Sequence, residues 1–216
     1  MSTASTAAGS TRRRGLGGQF AQPEGMLGRL VGRVMAAENA RANRLVVDRL
    51  AVGPGDRVLE IGCGPGTALA YAARSGPSLI AGIDPSAVMV AQARRRLRRA
   101  GGATRVDIRQ GRAEELPYPS GAFTRILTVH SLHHWDDLVA GVGEVARVLA
   151  PGGVAAIADR RERPGAHRDP HARGASAGDL EALRAVVLAA GPAEVRIEEH
   201  DLGREILAIL LARNTG

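Results

Sequence analysis

The sequence of 216 residues contains no lysine, a single cysteine and only five aromatic residues. One cysteine excludes an intrachain disulfide framework and a zinc site built from cysteines. So few aromatic side chains argue against a surface that stacks single-stranded nucleic acid. The longest stretch without a charge, Ile61–Ala73, has thirteen residues, whereas a membrane helix needs about 18 apolar residues. We therefore expect no membrane span.

The positive charge of the chain comes from arginine alone. The 29 arginines exceed the 22 acidic residues by seven, and Arg12, Arg13 and Arg14 supply three of those charges. The excess over the remaining chain is modest and does not indicate a nucleic-acid partner. No apolar stretch follows the charges near the N-terminus, so we expect a cytoplasmic protein without a secretory signal.

Hydrophobic periodicity and Gly/Pro punctuation predict an alternation of strands and helices. The predicted strands are Arg57–Ile61, Leu79–Ile83, Arg105–Arg109, Phe123–Val129, Val154–Ala158, Val195–His200 and Ile206–Leu211. The predicted helices are Leu27–Val34, Ala42–Leu50, Thr67–Arg74, one from Ser86 to Arg99, one from Asp136 or Asp137 to Leu149, and Leu180–Ala190. Arg160–Ala177 is predicted to be a long loop, and the last two strands an antiparallel hairpin. This order is typical of an α/β sheet with helices on both faces.

The segment Val58–Gly66 combines a buried strand with a glycine-rich turn and the start of a helix. Its spacing is G-x-G-x-G, one residue shorter than the G-x-G-x-x-G of dinucleotide-binding enzymes. Free N–H groups in such a loop and at the start of the helix favour electron-rich ligand groups. Glu60 precedes the first glycine by two residues, and Asp84 follows the next strand, where a carboxylate can accept hydrogen bonds from ribose hydroxyls. Together these features predict a nucleoside-binding site, although a tight turn with an N-capping aspartate is the alternative.

With these residues, the sequence resembles the Rossmann-like S-adenosylmethionine-dependent methyltransferases, of the small-molecule type that includes ubiquinone and menaquinone biosynthesis enzymes. Four segments carry the resemblance: Glu60–Gly66, Gly82–Ser86, Gly111–Phe123 and Glu144–Gly153. It implies a doubly wound Rossmann-like seven-stranded sheet with an antiparallel C-terminal hairpin. It also implies S-adenosylmethionine as cofactor, S-adenosylhomocysteine as product and a small-molecule acceptor.

The resemblance divides the chain and assigns its site residues. Residues 1–19 are expected to be a disordered tail, and 20–216 a single methyltransferase domain with cap helices in 20–52, a cofactor-binding half in 53–160, and a loop, helix and hairpin in 161–216. The cofactor-binding residues it implies are Glu60, Gly62, Cys63, Gly64, Gly66, Asp84, Pro85, Arg112, Ala113, Glu114, His130 and Ser131. No metal ligands are expected, because Pro170 keeps His167 and His171 off one helical face.

Two positions depart from the family pattern. The family has an acid at Arg112 that accepts the adenine amino group, and arginine can only donate. Either Glu114, Glu115 or the backbone replaces it, or the cofactor binds more weakly. The family also has aspartate after Phe123, where this chain has Thr124, a position that we interpret as structural.

His133 and His134 are the candidate catalytic residues. They follow the fourth strand, at the sheet edge where ligands bind. Methyl transfer needs mainly alignment and a dry site, and a base is required only for an acceptor that arrives protonated. Histidine suits that role, but histidines at a helix start also serve only to hydrogen-bond the backbone.

Several alternatives stay open from the sequence. The five arginines of the Arg160–Ala177 loop favour an acidic acceptor, unless that segment is only a surface loop. A catalytically inactive cofactor-binding partner protein fits the two departures. An NAD-dependent oxidoreductase would prefer the longer glycine spacing, and an enzyme acting on nucleic-acid bases would need aromatic faces. The sequence does not indicate the acceptor, the methylated atom or the oligomeric state.

Overall fold

The computed structural model describes residues 39–100, 104–161, 175–192, 194–203 and 205–216. The expected tail 1–19, the expected helix Leu27–Val34 and most of the expected loop Arg160–Ala177 lie outside the described residues.

Seven strands and five α-helices alternate along the described residues. The strands are β1 (Arg57–Ile61), β2 (Leu79–Asp84), β3 (Arg105–Gln110), β4 (Phe123–Val129), β5 (Leu149–Arg161), β6 (Glu194–Asp201) and β7 (Ile206–Arg213). The helices are α1 (Ala40–Leu50), α2 (Thr67–Ala72), α3 (Ala87–Ala100), α4 (Leu138–Val148) and α5 (Ala177–Ala189), with short 3₁₀ turns at Ala73–Ser75 and Leu132–His134. The predicted α/β alternation is confirmed.

All seven strands join one sheet in the order β3-β2-β1-β4-β5-β7-β6. β1 to β5 pair in parallel, and β7 runs antiparallel to both β5 and β6. The mostly parallel sheet with an antiparallel C-terminal hairpin is therefore as predicted. The chain winds outward from β1 in one direction to β3 and then returns to β4 on the other side. Such a reversal of strand order opens a crevice at the carboxyl ends of the two central strands.

Helices cover both faces of this sheet, and each face has its own apolar core. Helices α1, α2 and α3 pack on one face through residues such as Val46, Leu69 and Leu97. Helices α4 and α5 pack on the other through residues such as Val145 and Val187. Because successive residues of a strand point to opposite faces, strands buried on both sides read as continuous apolar runs, and the central strands were predictable for this reason.

A clamp between α4 and the loop after β3 explains two of the four resemblance segments. Arg147 donates a bidentate pair of hydrogen bonds to Glu144, at 2.6 and 2.7 Å, and further ones to the carbonyls of Leu116 and Tyr118. Glu144 in turn accepts the N–H of Leu116 at 2.7 Å. The clamp fixes the loop that carries Arg112 and Glu114, so both segments stabilise one wall of the crevice.

Thr124 lies at the amino end of β4, on the edge of the sheet away from the crevice. Its hydroxyl donates to Asp56 at 2.7 Å and accepts the N–H of Arg57 at 3.0 Å. Asp56 thus supplies a carboxylate beside the position where the family has one. The departure at Thr124 is structural.

One expectation about a charged segment was wrong. β5 runs to Arg161, so Arg160 and Arg161 belong to a strand and not to the predicted loop. Both are held by ion pairs with acids of the C-terminal hairpin, Arg160 with Glu205 and Arg161 with Glu199.

Among the described helices, none is long and apolar enough to cross a membrane.

Candidate functional site

A cleft of about 320 Å³ opens at the carboxyl ends of β1, β2 and β4. This is the point at which the strand order reverses, where open α/β sheets bind ligands. Of the predicted site residues, those that line the cleft are Glu60, Gly62, Cys63, Gly64, Asp84, Pro85, Arg112, Ala113, Glu114, His130, Ser131 and His134. Gly66 and His133 are placed outside this lining.

Gly62 turns the chain from β1 into the loop and lies against Ser131. Its backbone has φ +73°, and a Cβ there would lie 2.2 Å from the Ser131 hydroxyl oxygen. Only glycine allows this turn together with this close approach. Gly66 instead meets α3, since a Cβ would lie 3.0 Å from that of Ala93. Gly66 therefore serves helix packing, and it does not line the cleft.

The N–H groups of the glycine loop are engaged inside the protein. Those of Gly62 and Cys63 both donate to the carbonyl of Ile83, at 2.8 and 3.0 Å. That of Gly64 donates to Asp84 at 2.8 Å, and that of Gly66 to the carbonyl of Cys63. The part of the expectation that concerns the loop, that it offers free N–H groups to a ligand, is therefore wrong for these four residues. A dinucleotide uses such groups for its pyrophosphate, and these four residues do not offer them.

Asp84 ends β2 and joins the loop to α3. One of its carboxylate oxygens accepts from Gly64 and the other from the N–H of Ser86 at 2.9 Å. Burial raises the pKa of Asp84, and these two hydrogen bonds partly oppose that increase. Each oxygen keeps a further lone pair, so both can accept hydroxyl groups of a ligand in the cleft.

Glu60 is a second buried acid, only 4 % exposed at the end of β1. Burial, and then the nearby charge of Asp84, raise the pKa of Glu60 well above its ordinary value, while a hydrogen bond from the Leu69 backbone lowers it. Its Oε2 atom is buried and has no hydrogen-bond partner among the described residues. An uncompensated polar atom facing a cleft is costly unless a ligand satisfies it.

The raised pKa of Glu60 predicts that a ligand with an ammonium group binds more tightly as pH increases. Below that raised pKa the free protein holds the carboxyl protonated, and binding must release the proton. The affinity for S-adenosylhomocysteine is therefore expected to increase, by up to about tenfold per pH unit, from the ordinary glutamate range until Glu60 ionises in the free protein. Isothermal titration at several pH values, in buffers of different ionisation enthalpy, measures the affinity and the proton release.

Glu60→Gln is the matched variant for this measurement. It keeps the shape of the side chain but cannot ionise, so its affinity should be lower at neutral pH and less dependent on pH. An unchanged slope in this variant contradicts the assignment of the proton to Glu60.

The loop after β3 forms the opposite wall of the cleft. Arg112 pairs with Asp136 and lies 3.7 Å from Glu114. Glu114 accepts the N–H groups of Asp136 and Asp137, at 2.7 and 3.2 Å. Of the two acids proposed to replace the missing one, Glu114 lines the cleft and Glu115 is exposed. Arg112 thus ties this wall to the segment after β4.

His130 follows β4 with a left-handed backbone, φ +53°, a strained conformation for a residue other than glycine. Its ring lies between two acids, with Nδ1 3.4 Å from Asp159 and Nε2 3.5 Å from Glu205. Burial lowers the pKa of His130, but the contacts with these acids outweigh burial and raise the pKa to about 9. His130 is therefore a cation at neutral pH and cannot act as a base there.

The two candidate catalytic histidines face different surroundings. His134 lines the cleft. His133 lies outside the lining, with Nδ1 3.8 Å from Asp159, and its ring centroid is 3.9 Å from that of His134. Only His134 is placed where a ligand in the cleft could reach it.

Asn39 and Asn43 also line the cleft, and neither was predicted from the sequence. They lie one turn apart at the start of α1. Asn43 occupies the apolar stripe of that helix, with Val46, Val47 and Leu50 at i+3, i+4 and i+7. A polar residue on an apolar stripe is the sequence signal that could have identified it.

The residues of the cleft fit the expected cofactor. The unsatisfied Glu60 oxygen suits the ammonium group of its methionine moiety, and the Asp84 oxygens suit ribose hydroxyls. The engaged loop N–H groups agree with a cofactor that has no phosphate. Cys63 lines the same cleft but is not suited to act as a nucleophile, because burial raises the pKa of its thiol well above the ordinary value. The described residues contain no group of three or more acids, histidines or cysteines able to hold a metal ion.

Comparisons with known proteins agree with this geometry. Residues 59–157 match the family model described as a methyltransferase domain. The chain is 33 % identical to the uncharacterized methyltransferase YdaC of Bacillus subtilis (strain 168) over 129 aligned residues. This alignment covers 59 % of this chain and 69 % of YdaC. The chain is also 37 % identical to the 27-O-demethylrifamycin SV methyltransferase of Amycolatopsis mediterranei (strain S699) over 122 aligned residues. This alignment covers 55 % of this chain.

The match spans only 45 % of the length of the Amycolatopsis protein. Among solved structures, the [4+2]-cyclase SpnF superposes with a TM-score of 0.68 at 27 % identity, over 81 % of this chain and 80 % of that one. The similarity thus extends from the central motifs to most of the sheet.

Proposed function

Since the chain belongs to the Rossmann-like S-adenosylmethionine-dependent methyltransferases, we propose that residues 20–216 form one domain that methylates a small molecule. The observation that carries this proposal is the pair of buried acids in the cleft. Glu60 and Asp84 offer oxygens to an ammonium group and a ribose, while the loop between them offers no N–H group to a phosphate. The Amycolatopsis relative, named for a small-molecule substrate, supports the choice of acceptor class.

The cofactor, when bound, supplies an activated methyl group on a positively charged sulfur. The chain contributes alignment and exclusion of water, which are the main requirements of this transfer. Asp84 and Glu60 are fixed on adjacent parallel strands, β2 and β1, and so hold two ends of one ligand at a set distance. His130 and Ser131, at the end of β4, border the same end of the cleft as Gly62.

His134 is the residue that we assign to proton removal from an acceptor that arrives protonated. It lines the cleft, whereas the neighbouring His133 contacts Asp159 outside the lining. His130 already carries a proton at neutral pH, so it is excluded from this role. Glu114, tied to Arg112 and to the segment after β4, is the acid that we assign to the adenine side.

A thermal-shift titration with S-adenosylmethionine, S-adenosylhomocysteine and NADH tests the cofactor. At 100 times its dissociation constant a ligand adds about 2.7 kcal/mol, which raises the Tm of a domain of this size by about 5 to 10 °C. We expect this shift with the first two ligands and none with NADH. A shift with NADH alone would contradict the proposal.

Methyl transfer is then measured over a panel of phenols, carboxylic acids and amines, with His134→Gln and His133→Gln as a matched pair. For a protonated acceptor, His134→Gln should lower kcat by about 100-fold or more and His133→Gln far less. Binding of the cofactor without turnover of any acceptor would favour the inactive-partner alternative. Acidic acceptors should be preferred if the arginines of the loop after β5 face the acceptor.

A further inference from the structure

The carboxylate of the cofactor's methionine moiety needs hydrogen-bond donors that the glycine loop does not provide. Two acids, Glu60 and Asp84, already face this part of the cleft, so an unpaired third carboxylate there would be repelled. The N–H groups of Gly62, Cys63 and Gly64 are engaged with Ile83 and Asp84. The donors must therefore come from another element.

The cations of the cleft are also committed. Arg112 pairs with Asp136 on the wall formed by the loop after β3. His130 lies between Asp159 and Glu205, and Glu205 also pairs with Arg160, so the two positive and two negative charges of this group balance. Neither group offers a net positive charge to a further anion.

Helix α1 brings two side-chain amides to the cleft. Arg41 donates to the carbonyl of Leu202, at 3.2 Å, in the turn between β6 and β7, and this contact holds the start of α1 at the carboxyl edge of the sheet. At the other end of α1, the carbonyl of Leu50 accepts from Arg125, at the amino end of β4. The helix therefore points its first turn, with Asn39 and Asn43, at the cleft.

Neither amide is used within the described part of the protein. Asn39 stands at the N-cap position, where asparagine usually accepts a backbone N–H, yet its side chain makes no capping bond. Asn43 is only 9 % exposed, and its side chain makes none of the hydrogen bonds found among the described residues. Its amide atoms are not among the buried polar atoms without a partner, so they are accessible from the cleft that the residue lines. A polar side chain that lies on the apolar stripe of α1 and opens to the cleft points to a ligand there.

We propose that the side-chain amide of Asn43, with Asn39 one turn before it, binds the carboxylate of the cofactor's methionine moiety. The inference rests on the proposed function, because it presupposes that the cleft holds this cofactor. An amide N–H pair donates to a carboxylate without adding charge beside Glu60, which can then take the neighbouring ammonium group. The carboxylate and the ammonium group of the amino-acid moiety are thus bound by different elements, α1 and β1.

The test compares S-adenosylmethionine with its decarboxylated form, which keeps the ammonium group and lacks the carboxylate. Calorimetric titration is done on the wild type, Asn43→Ala, Asn43→Asp and Asn39→Ala. Asn43→Ala should weaken binding of S-adenosylmethionine by about tenfold or more, as expected for loss of a hydrogen bond to a charged group. It should change the affinity for the decarboxylated ligand by less than about twofold. Asn39→Ala should also weaken binding of S-adenosylmethionine more than binding of the decarboxylated ligand, but by a smaller factor than Asn43→Ala.

Asn43→Asp distinguishes the two ligands more clearly than Asn43→Ala, since it keeps the shape of the side chain and replaces the amide donor with a carboxylate acceptor. It should weaken S-adenosylmethionine more than Asn43→Ala does and leave the decarboxylated ligand bound at least as tightly as in the wild type. Equal losses for both ligands, or no loss for either, would overturn the inference while leaving the proposed function intact. Failure of the wild type to bind either ligand would instead overturn the proposed function and the inference with it. Thermal unfolding of each unliganded variant checks that it is folded.

Discussion

Replacing Gly62 with alanine is expected to destabilise the protein by about 3 kcal/mol, which combines a left-handed backbone penalty with overpacking. The new Cβ would lie 2.2 Å from the Ser131 oxygen and 2.6 Å from its Cβ. Ser131 cannot move freely, because its hydroxyl accepts the indole N–H of Trp135 at 3.0 Å. A loss of this size lowers the Tm by about 10 °C in a domain of this length, and thermal unfolding measures it.

Gly64→Ala is the matched control in the same loop. Gly64 also has a left-handed backbone, φ +49°, but a Cβ there meets no atom within 4 Å. The Tm of Gly64→Ala should therefore decrease by only a few degrees, because only the cost of the left-handed backbone remains. Because Gly64 lines the cleft, the same variant should bind S-adenosylhomocysteine more weakly. Equal Tm losses in the two variants would show that contact with Ser131 is not the cause.

The strands nearest the cleft were predictable from local sequence. β1 and β4 have the predicted bounds, because both strands are largely buried. Glycines also mark their limits, Gly55 and Gly62 around β1 and Gly121 before β4. The carboxyl ends of these strands also carry the motif residues, so the position of the cleft followed from the order of the elements. The order of the elements places Glu60 and Asp84 at this edge of the sheet, and the family resemblance adds His130.

The limits of β5 were not predictable in the same way. The prediction ended this strand at Ala158, because Arg160 and Arg161 have the character of a surface loop. In the fold their charges are compensated by Glu205 and Glu199, which are close only after the C-terminal hairpin has paired. Compensation between residues distant in the chain cannot be inferred from a local pattern.

The glycine loop shows a similar limit. Its sequence predicts close approach of a ligand, but not which N–H groups remain free. The hydrogen bonds to Ile83 and Asp84 form because β2 lies beside β1. They change the interpretation of the motif from a loop with free N–H groups to a support for a carboxylate that can accept hydrogen bonds from ribose hydroxyls. Arg96 of α3 is a further example, since it donates to the carbonyl of Pro65 and the hydroxyl of Thr67, and only the packing of α3 on the loop brings these residues together.

Asp84 determines whether the cleft retains its ligand, and Asp84→Asn is expected to lower the affinity for S-adenosylhomocysteine by about 100-fold. That factor corresponds to about 2.7 kcal/mol, the value of two hydroxyl hydrogen bonds to a charged acceptor. The amide nitrogen of the variant can no longer accept, and one of the N–H groups of Gly64 and Ser86 loses its partner. Isothermal titration calorimetry measures the affinity.

The stability of this variant should change much less than its affinity. Burial raises the pKa of Asp84 in the folded protein, so its ionised form opposes folding as pH rises through that pKa. The neutral asparagine avoids this penalty and offsets the lost hydrogen bond. Asp107→Asn is the control, since Asp107 lies on the adjacent strand β3 and pairs with Arg109 outside the cleft lining. A variant Asp84→Asn that binds with wild-type affinity would remove Asp84 from the site, and with it the physical basis for a ribose at the end of β2.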